Sequence, residues 1–581
     1  MVLLYDDLAD TEIARYMEAV AYFMPDPCRY YYNTNISTGA NRTGAAMVTA
    51  MHGVLTGDGA RIEAARQSLG DVFQYVTAGG KSRDGFYADG SFIQHDCIAY
   101  TGGYGLGLIS DLSEMFCLFS GTAWAVDDPN SANVYAWMYQ AFEPFVHSGM
   151  MLDAVAGRQI GRPYDKGYGA VALTKTAVLL SLSAPEDMAA DLRSMAKTWA
   201  LSETAARQSR EWNQRPELFV WNILSDIKAD PAVRLWETRT EYRQFAAMDR
   251  GLYRNPDYTF AVSMSSDRIA GYEELYGENP RGWHTGDGMT YLCNGDDTAY
   301  ADAFWPTVDR YRLPGTTAAV NVQHADGENG GRTTAGWAGG VQLDHRAGLS
   351  CMRLSTPDGI TASKAWFMLG REVVALGADI AAAGYQEAET IAENRKLSGP
   401  GEFQVDGSVR PADADWTEKD VHASWAHLAG AREKADIGYY FPGGAWVDIQ
   451  RETRQGSWPN GRQEEAVYQS IRFAHGTGVR GARYAYVLLP GFSPEDTAAY
   501  ARQPEITVLA NTAAVQAVEK PGAGLTGIVF WKEEGGAAAG VSSDGQAAVI
   551  VEEDRDTLTI AVSDPTQKRT SVQIELDRPM E

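Results

Sequence analysis

The hydrophobic periodicity of this chain changes once, near Met248, and that change limits the folds open to it. Before it, apolar residues recur at three- and four-residue spacing. Ile13, Tyr16, Val20 and Phe23 form one such stripe, with Asp10 or Thr11 placed to cap a helix. Met188, Leu192, Met195 and Trp199 form another, after the helix start Ser183-Ala-Pro185. Both stripes read as core. Beyond Met248 the apolar residues come in short runs bounded by Gly, Pro, Asn and Asp. Thr259-Phe-Ala-Val-Ser-Met, Trp366-Phe-Met-Leu, Val373-Val-Ala-Leu, Ile437-Gly-Tyr-Tyr-Phe and Tyr484-Ala-Tyr-Val-Leu-Leu are of this kind. Helices segregated from strands predict an α+β multidomain chain whose second part is an antiparallel β-sandwich. From about residue 503 a further β segment follows, with Ile528-Val-Phe-Trp531, Ala548-Val-Ile-Val551 and Leu558-Thr-Ile-Ala-Val562, read as a small C-terminal β domain. The predicted domains are residues 1–245, 246–502 and 503–581.

A chain of 581 residues exceeds what one core supports. Its formal charge of -26, from 50 basic and 76 acidic residues, argues against nucleic acid or an anionic membrane as partner. An acidic ligand stays admissible, because a local arginine cluster reverses the field inside a cleft. Five cysteines, Cys28, Cys97, Cys117, Cys293 and Cys351, contain no CxxC pair, so neither a disulfide framework nor a zinc knuckle is indicated. The nine histidines show no metal-ligand spacing. No apolar run is long enough to span a bilayer, and Met1-Val-Leu-Leu-Tyr is not a signal peptide. There is no P-loop, HExxH or GxSxG, and Gly103-Tyr-Gly105-Leu-Gly107 is not a dinucleotide fingerprint.

Four polar segments interrupt the apolar pattern. In Thr38-Gly-Ala-Asn41-Arg-Thr43, Asn41 sits in a Gly-flanked loop, suited to donate amide hydrogens to a carboxylate. The same residues also fit a turn or a glycosylation sequon. In Asp89-Gly-Ser-Phe-Ile-Gln-His95 through Tyr104-Gly, two proton-moving side chains, His95 and Tyr104, stand nine residues apart. The glycines beside Tyr104 leave room for a bulky ligand. Gly157-Arg158-Gln-Ile-Gly-Arg162-Pro-Tyr164 carries two arginines four apart. Tyr272-Glu273 through Asn279, Trp283, His284 and Asp287 supplies a carboxylate and an amide just past the helical part, where a cleft between domains is common.

At these four segments the chain resembles polysaccharide lyase family 8, the hyaluronate, chondroitin AC and xanthan lyases. The matching words run in the family's order: TGANRT, DGSFIQH then AYTGGYG, GR-x-x-x-R, GENPRGWHTGDGM, FWPTVDRYRLPGTT, ENRK, GYYFP and VSDPTQ. The resemblance implies an N-terminal (incomplete) α/α toroid, a central antiparallel β-sandwich and a small C-terminal β domain. It implies β-elimination on an acidic uronate polysaccharide, by a single chain outside the cell, with no membrane partner. The uronate's C5 proton is weakly acidic, so the adjacent carboxylate needs neutralising and a base needs positioning. By resemblance Asn41 and His95 hold the carboxylate, and Tyr104 is base and then acid. Tyrosine ordinarily titrates near ~10 and needs cationic help, for which Arg158 and Arg162 are the implied source. Glu273 matches a family glutamate near the catalytic tyrosine, and Asn279 a substrate contact. Arg162 and Tyr164 fit the spacing with which xanthan lyases hold a pyruvylated mannose. No cofactor is implied; a structural calcium ion in the acidic β region stays open.

The departures are an Asn-Trp-Trp word and an EIG-x-P word, which the family carries ahead of Val2-Leu-Leu-Tyr and which this sequence does not contain. Either the N-terminus is truncated or one aromatic wall of the cleft is missing. Tyr30, Tyr31 and Tyr32 read as ordinary packing. Tyr276 stands where several relatives have Asn. Two rival readings follow: a carbohydrate-binding homologue crippled by the lost wall, or a hydrolase, for which Asp89, Asp96 and Glu273 offer no obvious carboxylate pair.

Overall fold

The computed structural model describes residues 10–30, 35–77, 80, 82–163, 168–202, 217–327 and 330–577. Tyr31, Tyr32 and Tyr164 lie outside the described residues. Contacts divide the chain into two units, Met1–Ala156 with Asp165–Glu237, and Gly157–Tyr164 with Thr238–Glu581. The boundary between helices and strands therefore falls at Glu237, and a short arginine-bearing segment from the helical half belongs by its contacts to the second unit.

The first unit is helical. Helix α1 (Asp10–Phe23) forms on the expected stripe, but only Ile13 and Met17 are buried. Tyr16 and Phe23 are 57% and 61% exposed, so the expectation that both are core is corrected: they flank the buried edge rather than occupy it. Helix α2 (Gly39–Thr56) packs on α3 (Gly59–Ser68) and α4 (Leu106–Phe119). Small residues Ala45, Ala46, Thr49, Ala50 and Gly53 line the buried face of α2, which allows close approach. The Glu186–Ala200 helix begins after Pro185 and buries Leu192, Met195 and Trp199 as the spacing predicts. Between α3 and α4 lies a small antiparallel sheet of β1 (Gly85–Phe86), β2 (Phe92–Gln94) and β3 (Ile98–Ala99).

The second unit is built of antiparallel sheets. A 12-stranded sheet carries Ile360–Met368, Val373–Ala382, Ile437–Ser457 and Ala482–Pro490 at its middle, and a 4-stranded sheet holds Thr259–Ser263. All the strand runs named from the sequence are strands. The C-terminal sheet runs in the order Thr507–Asn511, Val515–Lys520, Leu525–Phe530, Ala547–Asp554 and Thr557–Ser563. One of its faces shares a core with the central sheet, where Val518, Trp531 and Ile550 pack with Trp337, Phe367 and Leu489.

Candidate functional site

In the first unit, Asn41 lies in the first turn of α2, after the extended N-cap residue Thr38, and not in a loop. The turn is helical because Arg42 and Thr43 face inward: buried Arg42 donates to Ser37 Oγ (2.8 Å) and to the carbonyls of Ser37 and Ser68. Half-buried Asn41 donates from Nδ2 to Tyr30 Oη across a long 3.3 Å. A carboxylate would accept that hydrogen more strongly than a phenol.

His95 sits in the turn between β2 and β3, where both it (φ 56) and Asp96 (φ 68) are left-handed. Each non-glycine residue in that region costs roughly 1–2 kcal/mol, and such costs collect at functional sites. Asp84 holds the turn. Its carboxylate accepts from the Asp96 amide (2.7 Å), from Gln94 Nε2 (2.9 Å) and from Thr38 Oγ1 (2.6 Å). Gln94 Oε1 in turn accepts from the Ala40 amide at 3.2 Å. The start of α2, with Asn41, is thereby tied to the turn that carries His95. Asp84 and Gln94 were not singled out in the sequence; an Asp in a polar loop carries no signal until its three donors are known.

Tyr104 occupies a π-helical turn, Thr101–Gly105, that leads into α4. Such turns carry one extra residue and recur at functional sites. The Tyr104 ring meets His95 edge-on, with centroids 4.7 Å apart, and meets Tyr100 at 4.9 Å. The expected ligand space at the glycines is corrected: a Cβ on Gly102 would come within 2.9 Å of Met151 Cγ, and one on Gly105 within 3.1 Å of Phe92. These glycines let the tyrosine turn pack against its own protein.

In the second unit, Arg158 and Arg162 lie along a 3-10 segment and its exit. Buried Arg158 donates to Glu273 Oε2 (2.6 Å) and Glu278 Oε2 (2.8 Å), across sequence separations of 115 and 120 residues. Arg162 forms a two-pronged pair with Glu278 at 2.9 and 3.0 Å. Glu278 is thus shared by both guanidinium groups, a role the sequence did not reveal. Asn279 is 1% exposed, left-handed (φ 56), and donates to the Glu273 carbonyl at 3.1 Å. It braces the Glu273 turn. Tyr276, also left-handed (φ 57), is 93% exposed.

Beside this cluster a groove of about 880 Å³ is lined by Trp283, Trp305, Trp458, Tyr311, Arg281 and Arg310. Arg310 lies over the Trp305 ring at 4.5 Å, and Trp283 packs on Tyr311 at 4.8 Å. Trp283 and Tyr311 are half-buried in this lining, whereas Trp305 and Trp458 are buried, and the Arg281 guanidinium is paired with Asp326.

Three family models match in order: the polysaccharide lyase family 8 N-terminal alpha-helical domain over residues 1–198, the super-sandwich domain over 240–501 and the C-terminal beta-sandwich domain over 507–573. The chain belongs to polysaccharide lyase family 8. It is 37% identical to a xanthan lyase of Bacillus sp. (strain GL1), across 100% of this chain and 62% of that protein. With a hyaluronate lyase of Thermasporomyces composti it shares 36%, across 100% of this chain and 74% of the relative. Among solved structures, a Paenibacillus xanthan lyase matches with a TM-score of 0.93 at 37% identity, over 99% of this chain and 55% of that one. The Streptomyces coelicolor A3 chondroitin AC lyase, solved with chondroitin sulphate, matches at 0.87 and 34%, over 99% and 76%. The family 8 architecture is accordingly that of this chain: a helical N-terminal domain, a central sheet-rich sandwich and a small C-terminal β domain.

Proposed function

We propose that this chain is a lyase that cleaves an acidic, uronate-containing polysaccharide by β-elimination, acting outside the cell. The observation that carries the reading is the His95–Tyr104 pair at 4.7 Å, built on a strained turn tied by Asp84 and Gln94 to the helix start bearing Asn41. The Asn41 amide and His95 neutralise the substrate carboxylate. Tyr104, as the phenolate, takes the C5 proton and becomes the neutral phenol, the C5–H electrons form the C4–C5 double bond, and the bond from C4 to the leaving oxygen breaks. The proton then passes from Tyr104 to that oxygen, so the cycle closes without water or a cofactor. In the second unit, Arg162 and the aromatic groove offer a further surface for acidic sugars, and hyaluronan, chondroitin and xanthan are the candidate polymers. That the relatives named above are xanthan, hyaluronate and chondroitin AC lyases supports the reading.

Elimination leaves a conjugated unsaturated uronate that absorbs in the ultraviolet; hydrolysis does not. Absorbance is expected to rise with one of the three polymers. Tyr104→Phe is expected to lower turnover by about 10²–10⁴-fold, the usual worth of a positioned acid–base, while substrate affinity stays near wild type. Wild-type turnover in that variant, or product without a double bond, would remove the assignment.

A further inference from the structure

Two imidazoles and a carboxylate that the elimination does not use converge in the second unit, on three separate stretches of chain. His284 is 2% exposed. Its Nδ1 lies 2.9 Å from Asp287 Oδ2, and an ionised carboxylate only accepts, so Nδ1 carries the hydrogen and Nε2 presents a lone pair. That Nε2 is buried and has no hydrogen-bond partner among the described residues. A buried acceptor left unpaired is costly. His324 Nε2 approaches Asp358 Oδ2 to 3.1 Å without the alignment of a hydrogen bond. A ring nitrogen of each histidine and a carboxylate oxygen of Asp358 lie within 4.8 Å of one another.

We propose that His284, His324 and Asp358 bind a divalent transition-metal ion of the zinc class, with Asp287 orienting His284. Two ligand atoms on one tetrahedral ion, each about 2.0–2.1 Å from it, stand roughly 3.3 Å apart, close to the His324–Asp358 separation. The donor set favours zinc over calcium, which takes six to eight oxygens. A histidine that gives one nitrogen to the metal and donates from the other to a carboxylate is the usual outer-sphere arrangement, and it accounts for the unpaired Nε2. The ion fastens the turn carrying Trp283 to the segment carrying His324, and both residues line the aromatic groove. Trp283 already packs there at a tilt on Tyr311 and His324, and the Tyr311 and His324 rings are near parallel at 5.6 Å. The ion therefore fixes a groove wall and takes no part in the chemistry.

The test uses the full chain, stripped of metal with a chelator and titrated calorimetrically with zinc chloride. One site per chain is expected, with a rise in the thermal midpoint and, for the cobalt(II) form, the visible absorption of a four-coordinate ion. His324→Ala and Asp358→Ala, both at half-buried positions, are each expected to weaken zinc binding at least about tenfold and to abolish the thermal shift. Asp287→Asn is expected to weaken it by about 10–100-fold. No zinc binding by the stripped chain overturns the proposal. So does binding that persists unchanged in both alanine variants, or calcium taken at these residues in preference to zinc.

Discussion

At Arg158 the guanidinium is committed to two carboxylates, and one of them, Glu273, is buried with it. Removing the arginine takes a compensating charge away from buried Glu273, which costs more than the pair itself contributes. Arg158→Ala is expected to destabilise the fold by roughly 3–5 kcal/mol, read by denaturant unfolding, and adding Glu273→Gln is expected to recover part of the loss. A cost below about 1 kcal/mol would mean that water reaches Glu273. The residue scale also shows what a sequence can and cannot convey. His95, Tyr104, Asn41 and the two arginines stood out because their types carry chemistry and their words match a family. Asp84 and Glu278 did not, because each acts only through partners distant in sequence. The glycines around Tyr104 were misread for a related reason: a glycine reports that something comes close, not whether it is ligand or protein.

Helix α2 ends its first turn on Thr43, whose hydroxyl donates to Asp111 Oδ2 on α4 at 3.1 Å. Burial pushes the Asp111 carboxyl up to about 6 from an ordinary 3.8. Between those values the folded chain holds a proton that the unfolded chain releases. Stability contributed here is thus full at low pH, falls as pH rises from about 4 to 6, and stays lost above. Asp111→Asn keeps an acceptor for Thr43 and removes the charge. It is expected to raise stability at pH 7 by up to about 3 kcal/mol and to flatten this part of the pH profile, checked by denaturation at pH 4.5 and 7. At this scale the elements themselves were legible, because period 3.6 and short β-rich runs are local properties. The helical start at Asn41 was not, since Gly39 and the polar residues around it mimic a loop; the inward-facing Arg42 makes the turn. The exposed faces of α1 were likewise hidden, because an apolar stripe does not say how much of itself finds a neighbour.

Across the whole molecule, the order of the chain and the order of its contacts disagree in one place. Gly157–Tyr164 is covalently part of the helical half, yet its contacts are with the strand-rich half. There Arg158 and Arg162 meet Glu273 and Glu278, and a Cβ on Gly161 would come within 2.9 Å of the Asn279 Cα. The C-terminal sheet differs: contiguous in sequence, it still completes a core begun by the central sheet. For recombination between relatives this has a direct consequence. A crossover at Glu237 respects the change from helices to strands, but it separates two arginines and a tightly seated glycine from the residues they pack against. Chimeras that exchange everything after residue 237 are expected to melt lower than chimeras that also exchange residues 157–164, measured by thermal scans of matched pairs. Equal melting would show that the two pieces tolerate foreign partners. Otherwise the heritable module in this fold is a pair of fragments that travel together, and substrate preference, if it resides at Arg162, moves with the half of the gene in which it is not encoded.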